Sequence, residues 1–218
     1  MRLHIKVSIL LMSCACILPA AKGQLITPGL QTADHWELVN RTARSVLEKS
    51  SVRLSEAPGA GLMILKGSDL GDGVIELDIK GSHQIQQSFV GLAFHIQNST
   101  TYDAVYFRPF NFSSNEAIRR SHAVQYISMP DNDWEKLRNQ FPGKYEHGVD
   151  PAADPDEWFH VKIVLKGYHV SVYVNNARQP SLEVDRISKT THGRLGLWVG
   201  NNSPGSFANL TFTAQSHN

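Results

Sequence analysis

Beyond residue 23 the sequence contains no cysteine; its two, Cys14 and Cys16, both fall before that point. Disulfides, a thiol nucleophile and cysteine metal ligation are thereby excluded from the body of the chain, which must hold itself together by core burial. Charge of either sign is also sparse, with 21 Lys and Arg against 20 Asp and Glu. Taking away residues 1–23 removes Arg2, Lys6 and Lys22 and no acid, which turns the formal balance from +1 to −2. A chain so close to neutral lacks the basic face that nucleic acid demands, and no nucleic-acid partner is expected. After the first apolar run no second one of spanning length follows, so no integral membrane segment is expected. Helical periodicity is almost absent. There is no His-Glu-x-x-His pattern, no tight spacing of histidines and hence no expected zinc site; no glycine-rich phosphate loop or Gly-x-Ser-x-Gly elbow occurs either.

What stands first is a leader. Arg2 and Lys6 precede an apolar run over residues 7–21, and Ala21-Lys22-Gly23 places small residues at the −3 and −1 positions of a cut before Gln24. The expectation is a signal peptide over residues 1–23, followed by one periplasmic or secreted domain over residues 24–218, a size usual for a single all-β domain. Leu11-Met12-Ser13-Cys14 loosely resembles a lipobox. Met12 and the apolar run continuing past the cysteine argue against it, which leaves lipid anchoring at Cys14 the lesser expectation.

The body reads as short strands between turn residues. Residues 73–80 (GVIELDIK) alternate with period two: Val74, Glu76, Asp78 and Lys80 fall on one face, Ile75, Leu77 and Ile79 on the other. Residues 89–97 alternate too, with Phe89, Gly91, Ala93, His95 and Gln97 sharing a face. Residues 42–47, 51–55, 61–66, 102–107, 123–128, 158–165, 169–174, 194–199 and 206–213 complete the set, and Lys166-Gly167-Tyr168 and Asn175-Asn176 read as hairpin turns. The spacing predicts one helix over residues 133–140, capped by Asp131 or Asn132 and stopped at Pro142-Gly143. Some ten to twelve strands at this spacing predict a two-sheet antiparallel sandwich, with Trp158, Phe159, Trp198, Phe207 and Phe212 in or beside its core. The longest irregular stretch is residues 142–157.

The runs DGVIELDIKG, FVGLAFHIQNSTTYDAVYFRPFNF, EWFHVKIVLKGYHVSVYVNN and GRLGLWVGNNSPGSFANLTF resemble a concanavalin A-like jelly roll. They are most similar to the laminin-G-like and 3-keto-disaccharide hydrolase group of bacterial exported domains. The resemblance spans residues 34–215. It implies an all-β jelly roll of two curved antiparallel sheets with a concave groove, and a saccharide as partner, met by a lectin-like binder, a hydrolase or an eliminase. Calcium is implied as a possible cofactor by the resemblance alone; the residues themselves call for no cofactor. The tyrosine-to-aspartate strand and Asn-Ser-Gly-Ile segment common in the hydrolase group are missing. HAVQYISMPDNDWEKLRNQFPGKYE occupies the middle of the chain instead.

Three groups of residues carry chemistry. Glu76-Leu77-Asp78-Ile79 begins like the stacked carboxylates of a glycosidase strand, but the third acid is missing, and a solvated sheet face is the plainer reading. Among His95, Asp103, Tyr106, Arg108, Gln125 and Tyr126, the alternation of residues 102–108 puts Tyr102, Ala104, Tyr106 and Arg108 on one face and Asp103, Val105 and Phe107 on the other. Arg108 offers a fork for carboxylate or vicinal hydroxyls, Tyr106 a stacking body with a polar tip. The third group is His122, Gln125, Trp134, Arg138, Tyr145 and Glu146; Trp134 and Arg138, four apart, share a helix face, and Glu146 with His147 is the nearest acid–base pair. Asp131, Asn132, Asp133 and the acids of residues 150–157 suit calcium in donor type, but neither group matches an EF-hand loop, and solvated acidic loops are the preferred reading. Expected ligand-binding residues are thus Tyr106, Arg108, Gln125, Trp134, Arg138 and Tyr145. The residues leave two readings open: a domain that binds or processes a saccharide (if an enzyme, a glycoside hydrolase or eliminase on oxidised or acidic sugars), or a non-catalytic structural or protein-interaction domain of the cell envelope.

Overall fold

The computed structural model describes residues 24–214; the expected leader, its cleavage point and Cys14 lie outside the described residues. In chain order the strands are β1 (Gln24–Ile26), β2 (Trp36–Val39), β3 (Ala43–Val46), β4 (Ser51–Leu54), β5 (Gly61–Leu65), β6 (Gly73–Lys80), β7 (Val90–Asn98), β8 (Thr101–Phe107), β9 (Val124–Met129), β10 (Glu146–His147), β11 (Phe159–Lys166), β12 (His169–Val174), β13 (Leu182–Asp185), β14 (Arg194–Val199) and β15 (Gly205–Ala214). Two short helices, α1 (Ala117–Arg120) and α2 (Trp134–Gln140), flank β9. One sheet runs β13-β12-β11-β6-β15-β4-β3 with β1 added beside β15; the other runs β10-β9-β8-β7-β14-β5-β2, and every pairing is antiparallel. The all-β jelly-roll sandwich is therefore the fold.

The core follows from the alternation. Ile75, Leu77 and Ile79 of β6 pair with Ile163, Val161 and Phe159 of β11, and all six are buried. They meet the second sheet through Phe107, whose ring lies 5.2 Å from that of Phe159 in an edge-on arrangement. Phe207 and Phe212 join this core. Trp158 stays outside it, half-buried, with its indole N–H donating to Glu48 Oε1 at 2.7 Å. On the outer face of the first sheet Asp78 accepts from Lys49, His160 and Asn209. Burial pushes its carboxyl up, but these hydrogen bonds outweigh that and hold it below the usual carboxylate range. The Glu76–Asp78 pair is thus part of the outer face of its sheet.

Sequence reasoning placed five elements differently. Asp133, not Asp131 or Asn132, caps α2, its Oδ1 accepting from the Lys136 N–H at 2.8 Å; the helix starts one residue later than the polar run suggested. Residues 142–157 contain β10, two residues long and too short for an alternation to register. The edge strands β2 and β13, four residues each, are also too short for an alternation to stand out. In β7 a bulge breaks the expected face: pairing with β8 slips between Phe94 and Asn98, and His95 takes a left-handed φ of 50°. His95 leaves the face of Gly91 and Ala93 and lies beside Asp103.

One rung crosses the second sheet from end to end. Leu62 pairs with Trp198, Trp198 with Gly91, Gly91 with Tyr106, Tyr106 with Gln125, and Gln125 with Glu146. Gly91 is the gap in that rung. A Cβ there would lie 2.5 Å from Tyr106 Cα and closer still to the Val105 carbonyl; its absence lets the rings of Tyr106 and Trp198 close to 4.8 Å across the glycine. Gly91→Val should therefore lower stability by about 2 to 3 kcal/mol, the cost of forcing volume into a packed site, measured as an earlier midpoint in urea unfolding.

Candidate functional site

One face of the second sheet carries a groove of about 680 Å³. Tyr102 and Tyr106 of β8 and Trp198 of β14 form its floor, and Arg108, following β8, closes one side. Among the segments that build the rest are the connection between β6 and β7, which supplies Ile85, Gln86 and Phe89, the connection between β8 and β9, which supplies Phe110, Asn111, Arg119 and His122, α2, which supplies Trp134 and Arg138, and Gly200 and Asn201 after β14. Phe89 packs edge-on against Phe110 at 5.5 Å, and Trp198 donates its indole N–H to the Tyr102 hydroxyl at 3.2 Å. The groove thus has an aromatic floor and one wall of guanidinium and imidazole groups.

Glu146 anchors that wall. It is 3% exposed. Arg138 grips it from α2 through both carboxylate oxygens, with Nε 2.8 Å from Oε1 and Nη2 2.5 Å from Oε2. His122 Nδ1 lies 2.9 Å from Oε2 and Arg108 Nη1 lies 3.9 Å from it. Arg108 is itself buried and donates to neutral oxygens: Nη1 to the His122 carbonyl at 2.8 Å, Nη2 to the Tyr106 hydroxyl at 2.6 Å and to Gln125 Oε1 at 3.4 Å. Its guanidinium also stands 4.9 Å from the Tyr106 ring centre, and that of Arg138 5.0 Å from Trp134.

The pKa directions follow from this packing. Burial pushes the Tyr106 phenol up to about 12, with the Arg108 charge opposing it, so the hydroxyl keeps its proton. His122 is pulled below the ordinary histidine value, chiefly by desolvation and then by the charges of Arg138 and Arg108, against the upward pull of Glu146. At neutral pH its imidazole is uncharged and able to accept a proton.

The expected binding residues separate into three positions. Tyr106, Arg108, Trp134 and Arg138 border the groove. Gln125 is fully buried beneath it, its Nε2 donating to the carbonyls of Tyr126 and Tyr145. The Tyr145 ring packs between Tyr126 and Phe141, 5.8 Å from each. Of the acid–base pair, Glu146 is held under the wall and His147 is exposed at the sheet edge. Trp198 reads correctly as core and Tyr102 as strand, on the face of Tyr106 and Arg108, but sequence reasoning did not name either as a ligand-binding residue. The available signal was the small residue on the neighbouring strand, Gly91, which opens room for two rings on one rung. It also grouped His95, Asp103 and Tyr126 with Tyr106 and Arg108, whereas those three face between the sheets, where Tyr126 donates to Asp103 at 2.9 Å. Among the described residues no three His, Cys, Asp or Glu side chains are gathered as a metal site, and no helix is long and apolar enough to cross a membrane.

Fold and groove together define a jelly-roll domain of the concanavalin A type. The chain belongs to the 3-keto-alpha-glucoside-1,2-lyase-like domain family, whose model matches residues 27–213. Among solved structures it is similar to the carbohydrate-binding module CBM66 from Bacillus subtilis, at TM-score 0.61 and 15% identity over 83% of this chain and 96% of that one. It is similar also to a putative glycosyl hydrolase from Parabacteroides distasonis, at TM-score 0.58 and 11% identity over 88% and 99%. A third is the mannose- and calcium-bound exoplasmic/lumenal domain of VIP36, at TM-score 0.58 and 11% identity over 89% and 90%. No curated protein matches the sequence.

Proposed function

We propose that the groove binds a saccharide and that His122 moves a proton on it, in an elimination or hydrolysis acting on an oxidised sugar. The observation that carries this is the imidazole at the groove wall, its Nδ1 2.9 Å from the buried carboxylate of Glu146. A carboxylate beside an imidazole stabilises the cation that forms when the outer nitrogen takes a proton. Beside a sugar carbonyl a C–H bond is acidified. His122 draws that proton and the electron pair passes to the carbonyl as an enolate; as the pair returns to form a carbon–carbon double bond the glycosidic C–O bond breaks, and its oxygen takes the proton back from His122. Tyr106, protonated, and Arg108 stand next to His122 to meet negative charge developing on the carbonyl oxygen. The floor of Tyr102, Tyr106 and Trp198, with Trp134 at the rim, gives the apolar faces of sugar rings their platform. The family description and the titles of the similar structures, which name a carbohydrate-binding module, a glycosyl hydrolase and a mannose-bound form, support a saccharide as partner.

The second reading is binding without turnover, favoured by the acids at hand: Glu146 is held by Arg138, and Asp133, the one acid of the described groove lining, is engaged in capping α2. Incubating the protein with α-glucosides and their 3-keto derivatives, with product analysis beside calorimetry, separates the two. Turnover is expected only of the oxidised substrates, and it should fall as pH drops through a pKa below 6.5, because protonation removes the base. His122→Gln should keep binding and lose turnover by about 10² or more. Binding with no product from any substrate leaves the lectin-like reading, and no binding at all favours a structural or protein-interaction role in the envelope. In the same proposal the domain is exported with cleavage before Gln24, which a mass measurement of the mature N-terminus tests.

A further inference from the structure

Arg41, in the crossing from β2 to β3, is 7% exposed and has no carboxylate partner among the described residues. Its stem lies over Gly61, where a Cβ would collide with Arg41 Cγ. The guanidinium turns to three carbonyls instead: Nη1 donates to that of Asn40 at 2.6 Å, and Nη2 to those of Gly59 at 2.7 Å and Gly200 at 2.8 Å. Its Nε is buried with no partner among the described residues. A buried charge answered only by carbonyl oxygens is a poor device for stability. An apolar side chain would cover Gly61 as well; what the fork alone supplies is the convergence of three carbonyls on one group.

Two of those carbonyls belong to loops that end at the groove. Ala60, before β5, and Gly200 and Asn201, after β14, all line it. The loops are also tied to each other. The Gly59 N–H donates to Asn201 Oδ1 at 2.7 Å, and the Asn202 N–H to the Ala57 carbonyl at 2.9 Å. Phe89 fastens them to the sheet, its carbonyl accepting from the Gly200 N–H at 2.9 Å and its N–H donating to Ser203 Oγ at 3.0 Å. Val90 pairs with both Phe107 and Val199. One residue further along, Arg108, Phe89 and Gly200 therefore come side by side, and all three line the groove. Arg108 and Gly200 stand two strand spacings apart, about 10 Å, with Phe89 between them. Asn201 is exposed, and since Gly59 takes its Oδ1, its amide N–H is what it can offer a ligand.

We infer that Arg41 is a positioning residue for this edge of the groove, fixing the two loops so that Asn201 donates to a hydroxyl of a sugar ring held from the other side of Phe89 by the Arg108 wall. This rests on the saccharide reading of the groove. The ring is then gripped from both sides, by charge and imidazole on one and by a neutral amide on the other.

The test is calorimetry with methyl α-glucoside and its 3-keto derivative on the native protein, Asn201→Ala, Arg41→Met and the double variant, with urea unfolding of each. Asn201→Ala should weaken binding by roughly two- to tenfold, the worth of one net hydrogen bond. Arg41→Met keeps an apolar stem over Gly61 and should weaken it by at least as much. The double variant should bind no more weakly than Arg41→Met alone, because both changes act through one contact. Losses that multiply in the double variant overturn the positioning role. So does an unchanged affinity in folded Arg41→Met with only the urea midpoint lowered, which a structural arginine would give. Native affinity in Asn201→Ala overturns the contact and the inference with it, while leaving the groove reading in place. A native protein that binds neither sugar overturns both together. Should Arg41→Met fail to fold, Arg41→Lys, which keeps the charge but cannot span three carbonyls, takes its place with the same expectations.

Discussion

Glu146→Ala should lower stability by about 3 to 5 kcal/mol, the cost of removing one member of a buried ionic cluster. In a chain of this size that corresponds to a fall in Tm of ~10 °C or more. The reason is what would remain. Arg138 would lose a two-pronged partner at 2.8 and 2.5 Å, and Arg108, 5% exposed, would lose the one carboxylate within reach. Two guanidinium groups would then share a largely dry wall with no counter-charge. Glu146→Gln keeps an acceptor of the same shape and should cost less, about 2 kcal/mol. A double variant checks the origin of the effect. If the loss comes from uncompensated positive charge, Arg138→Met added to Glu146→Ala should recover part of it, giving a coupling of about 1 to 3 kcal/mol. If the two losses simply add, the cluster is not the source. Such a network contributes little net stability even when intact, so its presence beneath a groove points to the placing of His122 and Arg108 and less to holding the sheets together.

The sheets were legible because burial writes a period of two into the sequence. Ile75, Leu77 and Ile79 against Glu76 and Lys80 fix both the strand and its inward face. The same rule put Tyr102, Tyr106 and Arg108 on one face of β8, and all three border the groove. Where the period breaks, the reading breaks with it. His95 counts as a neighbour of Gly91 and Ala93 until one bulged residue turns it over, and no residue type in FHIQN announces that bulge. Trp198, read as in or beside the core, is there, at 6% exposed; its second role in the groove floor stayed hidden because an aromatic covered by other aromatics looks the same in sequence whether its far side meets protein or a groove. The pairing of Glu146 with Gln125 could not be read at all. Residue 146 reaches β9 only through the two-residue strand β10, and its partners Arg138, His122 and Arg108 come from a helix, a loop and the end of β8. Long-range electrostatic convergence of this kind leaves no local pattern.

Removing the fork of Arg108 should have the largest effect on ligand affinity. Its guanidinium reaches the Tyr106 hydroxyl, the His122 carbonyl and Gln125 in three directions at once, a spread that the single ammonium of lysine cannot reproduce. Arg108→Lys keeps the charge and most of the volume, so it should fold with a loss of about 1 to 2 kcal/mol. Saccharide affinity should nonetheless fall tenfold or more, since both the groove-side donor and the set of the Tyr106 phenol are lost. Arg108→Ala should add a stability loss of about 3 kcal/mol, because the freed Tyr106 and Gln125 groups are buried and the Glu146 cluster is thinned. A purely structural arginine would give a different pattern: stability would drop in both variants, while affinity measured on the folded protein would hold. Trp134→Ala supplies the contrast. At 43% exposed on the groove rim, Trp134 should change stability by about 0.5 kcal/mol or less, yet weaken binding if sugar rings stack on it. Affinity that falls in Arg108→Lys and in Trp134→Ala places the ligand against both; affinity unchanged in a folded Arg108→Lys protein removes the guanidinium wall from the binding surface.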